Sequence, residues 1–379
     1  MYLKVMKLSV ILLTGLMLFS ALYAPQPVYP VLIDQFGVEP THIALLQTAT
    51  FLPLALSPIF YGMVIDKFSP LKILRFALLF LAAGELLFAV SDSFHTLLAS
   101  RFFQGLFIPA GMTAVLSYIA TSYAREKIQR YIAYYMASTM AGGVAGRMLA
   151  GFFSSVYGWR FSFIMLGVSV FALFMMTLVL KDEAPIGKKS LHGIKDMLKN
   201  KEYMKPVFIV FFAFIVFSSI MNFYSIRLRE LSPDLSEFLI GAAYFGSLFG
   251  SVTAYMTPAF ARITGSYKNT ILLAFGFQLI ALMVFRIPSV AMSFATLFVF
   301  CGAFIVINTS CAGLLNKYAD VSKGAVNGVY FTVYYMGGVI GSFLPGYIYE
   351  GMGWNMFLFA LMISSSVGLA MAISSRIET

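Results

Sequence analysis

Three ionisable side chains stand in stretches that are otherwise apolar: Glu85 in "LLFLAAGELLFAV", Arg101 in "HTLLASRFFQGLF" and Arg147 in "AGGVAGRMLAGFF". A charge at the centre of a membrane helix costs roughly 2.5–3.5 kcal/mol on insertion scales. Such groups therefore face protein or a wet cavity, pair with each other, or meet a polar substrate. Arg101 also stands within two turns of a span end, where it could instead snorkel to the interface. Glu85 is the buried group best suited to exchanging a proton, since a carboxyl responds to burial and to a nearby arginine in opposite directions; Asp34 comes second. Taking the connector centre at Ser93, Glu85 lies eight residues before it and Arg101 eight after. Both are then at similar depth, ~12 Å from the turn at 1.5 Å per residue. Two cations and one acid leave one positive charge for an anionic or strongly polar substrate group. No metal triad, nucleophile–base pair or glycine-rich phosphate loop accompanies them, which argues against an enzyme, a primary pump or a resident cofactor. His42, His95 and His192 fall at span ends or in connectors.

The elements that position these residues follow from composition. The chain has 379 residues, 60% hydrophobic and 11% charged, against about 45–50% and about 25% in a soluble domain. This is the composition of an all-α, multi-span membrane protein. About 20 apolar residues cross a bilayer, and that rule gives twelve spans: 8–33, 43–65, 72–91, 96–120, 131–156, 159–180, 206–228, 237–259, 269–287, 289–315, 323–348 and 354–375. Lys4 and Lys7 before the first apolar run, which ends in "ALYA", imitate a signal peptide. Pro25 and the continuing apolar run make it a membrane span instead. Cys301 and Cys311 lie ten positions apart in one run, ~15 Å along a helix, so they read as packing residues, not a disulfide.

One long polar connector, 181–205, separates an N-terminal six-helix bundle (1–180) from a C-terminal one (206–379). Leu191, Ile194 and Leu198 within it have the spacing of an amphipathic surface helix. The net charge of +10 resides mostly in connectors, which speaks for membrane orientation and not for nucleic acid. With the N-terminus inside, twenty Lys and Arg fall on the inner side and four on the outer, so both termini are expected in the cytoplasm. The halves also repeat. Gly142, Gly143, Gly146, Gly151, Gly158 and Trp159 match Gly337, Gly338, Gly341, Gly346, Gly353 and Trp354, each 195 positions on. Two parallel repeats with a binding site between them at mid-depth form a transporter arrangement.

These features together resemble the major facilitator superfamily over essentially the whole chain. "GMVIDKFSPLKIL" resembles its signature loop after span 2: Gly62, Asp66 and Lys67 match, and Lys72 replaces the later basic pair one position on. The resemblance implies an inner gate here; a solvated turn that only sets orientation is the alternative. "RFFQG", with Arg101, Gln104 and Gly105, resembles the motif of proton-coupled members, where the arginine is linked to coupling. The span-5 glycines resemble the antiporter motif, with Arg147 where the family has proline and Ala150 where it has glycine. In the family, span 5 packs on span 8 of the other half. Gly142 and Gly146 would meet Gly246 and Gly250, Gly337 and Gly341 would serve span 11 against span 2, and Gly151 and Gly346 would join the packing between the bundles. Glycines that merely pack fit the same pattern. "FYSIRLRELSPDLSEFLIG" and "GAVNGVYFTVYYMGG" point to the branch of arabinose-efflux-type and drug-efflux permeases.

The family's central cavity is lined by spans 1, 4, 7 and 10. The resemblance therefore nominates Tyr23, Gln26, Tyr29, Arg101, Gln104 and Arg147 from the first half. From the second half it nominates Asn222, Tyr224 and Asn308, with Tyr334 of span 11. Three prolines in "YAPQPVYP" should break span 1. Trp159 and Trp354 would anchor at the outer interface. The expected activity is secondary transport by alternating access: proton-coupled efflux of a drug-like or metabolite compound, by a monomer whose partners are lipid, substrate and protons. The alternative is an uptake or facilitative carrier for a small organic anion or sugar. A sensor or scaffold fits less well, because no extra domain is apparent to carry a signal.

Overall fold

A computed structural model describes residues 2–64, 68–181, 198–318 and 323–376. Among the described residues the protein is all-helical, without strands. In hydrocarbon every backbone N–H and C=O must be satisfied within the protein, and a helix does so within its own segment. The first half contains α1 (Tyr2–Tyr23), a 3₁₀ turn (Gln26–Val28), α2 (Tyr29–Phe36), α3 (Pro40–Val64), α4 (Pro70–Ala89), α5 (Phe94–Ser122), α6 (Arg125–Tyr157) and α7 (Trp159–Leu178). The second contains α8 (Lys201–Leu231), α9 (Glu237–Ala243), a 3₁₀ segment (Tyr244–Leu248), α10 (Phe249–Thr264), α11 (Tyr267–Val284), α12 (Val290–Tyr318), α13 (Lys323–Phe343) and α14 (Gly346–Ser374). With α1–α2 counted as one span and α9–α10 as another, these are the twelve helices of the expected fold. Eight of the described helical stretches are long and apolar enough to cross a membrane on composition alone. α4, with Lys72, Arg75 and Glu85, is not among them. The amphipathic segment expected around Leu191 and Ile194 lies outside the described residues, and Leu198 is exposed.

The described residues form two compact units. One holds residues 1–38, 52–189 and 236–242; the other holds 39–51, 190–235 and 243–379. Each unit thus takes a short segment from the opposite half of the sequence, the start of α3 in one case and most of α9 in the other.

Within each unit the 195-residue repeat is a repeat of contacts. α6 lies on α1, and α13 on α8. A methyl group at Gly142 would sit 2.7 Å from Leu16 Cα, and one at Gly146 2.5 Å from Ser20 Cα. In the second unit a methyl at Gly337 would sit 2.6 Å from Phe211 O, and one at Gly341 2.8 Å from Ile215 Cα. Leu16 and Phe211, like Ser20 and Ile215, are themselves 195 apart. Small residues at this spacing let two backbones meet, but the partner differs from the expectation. Gly142 and Gly146 face span 1, and Gly337 and Gly341 face span 7. Gly246 and Gly250 pack on Phe298 and Ile305 of α12. Gly151 alone of the span-5 glycines meets span 8, at Glu237 and Gly241. Its counterpart Gly346 has Thr41 Oγ1 of span 2 at 2.6 Å from a would-be methyl. Periodicity marked the close-packed face correctly and could not say which neighbour covers it.

The turns repeat as well. Gly158 (φ 84°) and Gly353 (φ 77°) take a positive φ that favours glycine. The tryptophans that follow are not interfacial anchors. Trp159 is 4% exposed and donates to Gln35 Oε1 at 2.6 Å; Trp354 is 6% exposed and donates to Phe285 O at 2.8 Å. At the other end of each unit a cation caps the last helix. Arg75 donates to Thr177 O (3.0 Å) and Leu180 O (2.8 Å), while Lys205 and Lys268 donate to Ser374 O (2.6 Å) and Ser375 O (2.8 Å). Positive charge on unpaired C-terminal carbonyls is the favourable sense of the helix dipole.

Candidate functional site

The break in span 1 creates the first half of the site. In an uninterrupted helix the carbonyl of Ala21 would accept from the N–H of residue 25 and that of Tyr23 from residue 27. Both positions are proline and have no N–H to give. Arg101 reaches into this gap from α5. Its Nη1 donates to Ala21 O at 2.9 Å and to Gln104 Oε1, and its Nη2 donates to Leu22 O at 2.9 Å. Arg101 is 0% exposed, so it does not snorkel. It closes the C-terminal end of α1, a task that suits the planar, multi-donor guanidinium better than a lysine. Tyr29, also buried, is close enough for an electrostatic interaction with Arg101.

Glu85 approaches the same arginine from α4, which packs directly on α5. Gly84 permits the approach, since a methyl there would lie 2.8 Å from Gln104 Cγ. Glu85 is 0% exposed and close enough to Arg101 for their charges to interact. Among the described residues neither of its carboxyl oxygens accepts a hydrogen bond. The equal depth counted from Ser93 agrees with this proximity. Asp34 lies elsewhere, exposed on α2.

Arg147 forms a second cluster on α6. Nε donates to Gln26 Oε1 at 2.7 Å and Nη1 to Gly143 O at 2.7 Å, and the guanidinium sits 4.2 Å from the Tyr23 ring centroid. The residue is 3% exposed. A cation over an aromatic face is favourable, the more so when desolvated. At the positions 195 further on, the second unit has Ser218 and Ser342, whose hydroxyls lie 3.2 Å apart. The two halves fill one location of the repeat with different chemistry, a cation on an aromatic ring in one and a pair of hydroxyls in the other.

In the second unit Asn222 is buried and donates to Ser342 O (3.0 Å) and Ala44 O (3.3 Å). Tyr224 is buried against Tyr244 and Phe285. Asn308 and Tyr334 are half-buried. Tyr330, which the sequence reading passed over, donates to Asn308 O (2.9 Å) and Oδ1 (2.6 Å). Tyr334 stacks on Phe214 with centroids 3.9 Å apart. Phe214, Phe217, Phe300 and Phe304 were also passed over, although their i, i+3 and i, i+4 spacings put each pair on one helix face. In a chain this rich in phenylalanine that signal is weak. Of the signature loop, Asp66 and Lys67 lie outside the described residues and Gly62 falls in α3. Lys72 is exposed in the first turn of α4, where its N–H donates to the capping Ser69 Oγ at 3.4 Å.

Twelve helices in a duplicated arrangement, eight of them clearly apolar enough to span among the described residues, with buried ionisable groups beside a broken first span, define a multi-pass membrane transporter. Residues 11–342 match the model of the Major Facilitator Superfamily, and the chain belongs to that family. It is 24% identical over 352 residues to the inner membrane transport protein YnfM of Escherichia coli (strain K12), covering 90% of this chain and 83% of that protein. It is 24% identical over 337 residues to the quinolone resistance protein NorA of Staphylococcus aureus (strain COL), covering 86% and 85%. Among solved structures, the nucleoside transporter NupG superposes with a TM-score of 0.78 at 16% identity, covering 99% of this chain and 98% of that one. A bacterial homolog of the human lysosomal transporter Spinster gives 0.75 at 16%, covering 99% and 96%. These structural likenesses establish the fold.

Proposed function

We propose that this protein is a proton-coupled antiporter that exports a small amphipathic compound by alternating access, with Glu85 as the group that takes up and releases the proton. The observation that carries the reading is Glu85 itself: fully buried, beside Arg101, with neither oxygen hydrogen-bonded among the described residues. In a membrane interior a carboxyl without hydrogen bonds costs far more to bury ionised than protonated. A group so placed is therefore a lever on the helices around it. Arg101 ties Glu85 to the break in span 1, so a change of charge at α4 is felt at Ala21 and Leu22. The efflux direction is supported by the relative named for quinolone resistance. The distribution of Lys and Arg supports both termini in the cytoplasm, with the loop at Gly62–Lys72 as the inner gate of a monomer.

The alternative, uptake or facilitated passage of an organic anion or sugar, has less support. Arg101 and Arg147, the cations that would meet an anion, are both buried and already donate to acceptors within the protein. A thermal-shift screen of purified protein against cationic drugs, organic anions and sugars identifies a ligand. Ligand-dependent proton movement in liposomes then tests the mechanism. Wild type should couple the two and Glu85→Gln should not; equal proton flux in both would remove Glu85 from the mechanism.

A further inference from the structure

One face of the second unit carries an ordered set of aromatic rings. Tyr334 of α13 lies against Phe214 of α8, with centroids 3.9 Å apart and planes 12° from parallel. Phe214 is followed by Phe304 of α12 at 5.6 Å and 24°. Phe304 meets Phe217 of α8 at 4.0 Å and 18°, and Phe217 continues to Phe300 at 5.9 Å and 6°. Most ring pairs in this protein are tilted or edge-on, so a run of near-parallel planes across three helices is a distinct feature. Phe214, Phe300 and Phe304 are buried, whereas Phe217 and Tyr334 are half-buried. Asn308 stands one helical turn beyond Phe304 on α12, and its amide oxygen is already taken by the Tyr330 hydroxyl. The Asn308 Nδ2 group donates no hydrogen bond among the described residues, and the residue is half-buried.

From this we infer that the second unit carries a binding site for planar, fused-ring aromatic compounds with a hydrogen-bond acceptor in the ring plane. The rings stack on Phe217 and Tyr334, and the acceptor meets Asn308. Offset stacking rewards flat π-systems beyond the area they bury, and an amide whose oxygen already accepts one hydrogen bond has its N–H groups as the wholly unengaged part. No cation or anion partner is required, so neutral compounds qualify. The inference names a substrate class and rests on the transport reading above.

Acridone, which is flat, uncharged and fluorescent with one carbonyl, is the probe. Dicyclohexyl ketone supplies a carbonyl and apolar bulk without ring planes. Fluorescence anisotropy of acridone is titrated with full-length protein in nanodiscs, with dicyclohexyl ketone as competitor. Acridone should bind wild type at least about tenfold more tightly than the ketone. Phe217→Leu and Tyr334→Leu should each weaken acridone by about tenfold, and Asn308→Leu should weaken it as well. Tyr334→Phe, which returns the ring without the hydroxyl, should restore what Tyr334→Leu removes. Elution as one monodisperse peak and an unchanged melting temperature confirm that the variants are folded. Equal binding of acridone and the ketone, or leucine variants that bind acridone as wild type does, would overturn the inference. If acridone fails to bind while Glu85-dependent proton flux persists, the aromatic site falls and the transport reading stands. Ring-dependent binding in a protein that moves no protons does the reverse.

Discussion

If Arg101 serves to satisfy Ala21 O, the carbonyl that Pro25 has orphaned, part of its energetic worth must depend on that proline. Arg101→Met keeps much of the side-chain length and removes every donor. Two buried main-chain carbonyls, Ala21 O and Leu22 O, then lose hydrogen bonds of 2.9 Å each. An unsatisfied buried polar group costs about 1–3 kcal/mol in a soluble protein. Hydrogen bonds between membrane helices measure lower, ~0.6 kcal/mol on average and ~1.7 at most. The expected loss is therefore in the lower part of the summed range, about 2–4 kcal/mol. Pro25→Ala restores an N–H where the helix would offer one to Ala21 O. In the Arg101→Met background it should recover about 1 kcal/mol, while in the wild-type background it competes with an existing donor and should gain almost nothing. The assay is reversible unfolding in mixed micelles by increasing sodium dodecyl sulfate, read by fluorescence of Trp159 and Trp354, the chain's two tryptophans. A Pro25→Ala effect of equal size in both backgrounds would refute the capping argument.

Arg147→Ser leaves Gln26 and Tyr23 without their cation and should destabilise the same unfolding transition by about 1–3 kcal/mol. Adding Tyr23→Ser recreates the Ser218–Ser342 chemistry of the second unit, so the double variant should lose less than the two single losses added together. Gly146→Leu should yield no monodisperse protein by size exclusion, because even a methyl there meets the Ser20 backbone at 2.5 Å. Gly276→Ala, with nothing within 4 Å, should fold and gain up to about 1 kcal/mol from helix propensity.

Much of this organisation was legible in the sequence, and the parts that were not share a cause. Span count, the break at "YAPQPVYP" and the 195-residue repeat follow from backbone chemistry and self-similarity, which a sequence displays directly. The meeting of Glu85 and Arg101 could be worked out because one short turn joins their helices, so counting residues from Ser93 gives depth. Contacts between helices distant in sequence could not. Gly142 and Gly146 advertise a close approach without naming span 1, and nothing in the order of residues says that Trp159 turns inward to Gln35. In the sequence Arg75 is indistinguishable from the other inner-side cations; only the position of the α7 terminus makes it a cap. The parallel rings from Phe300 to Tyr334 come from three helices, so no single stretch displays them.

The central claim concerns which group carries the proton, and one experiment separates that from binding and from folding. In proteoliposomes loaded with a ligand found by the thermal-shift screen, exchange of labelled for unlabelled ligand needs only the alternating cycle, whereas uphill movement needs the coupled proton. Glu85→Gln should retain exchange and lose uphill transport driven by a pH gradient. A Glu85→Gln protein that concentrates ligand against its gradient as wild type does would contradict the account.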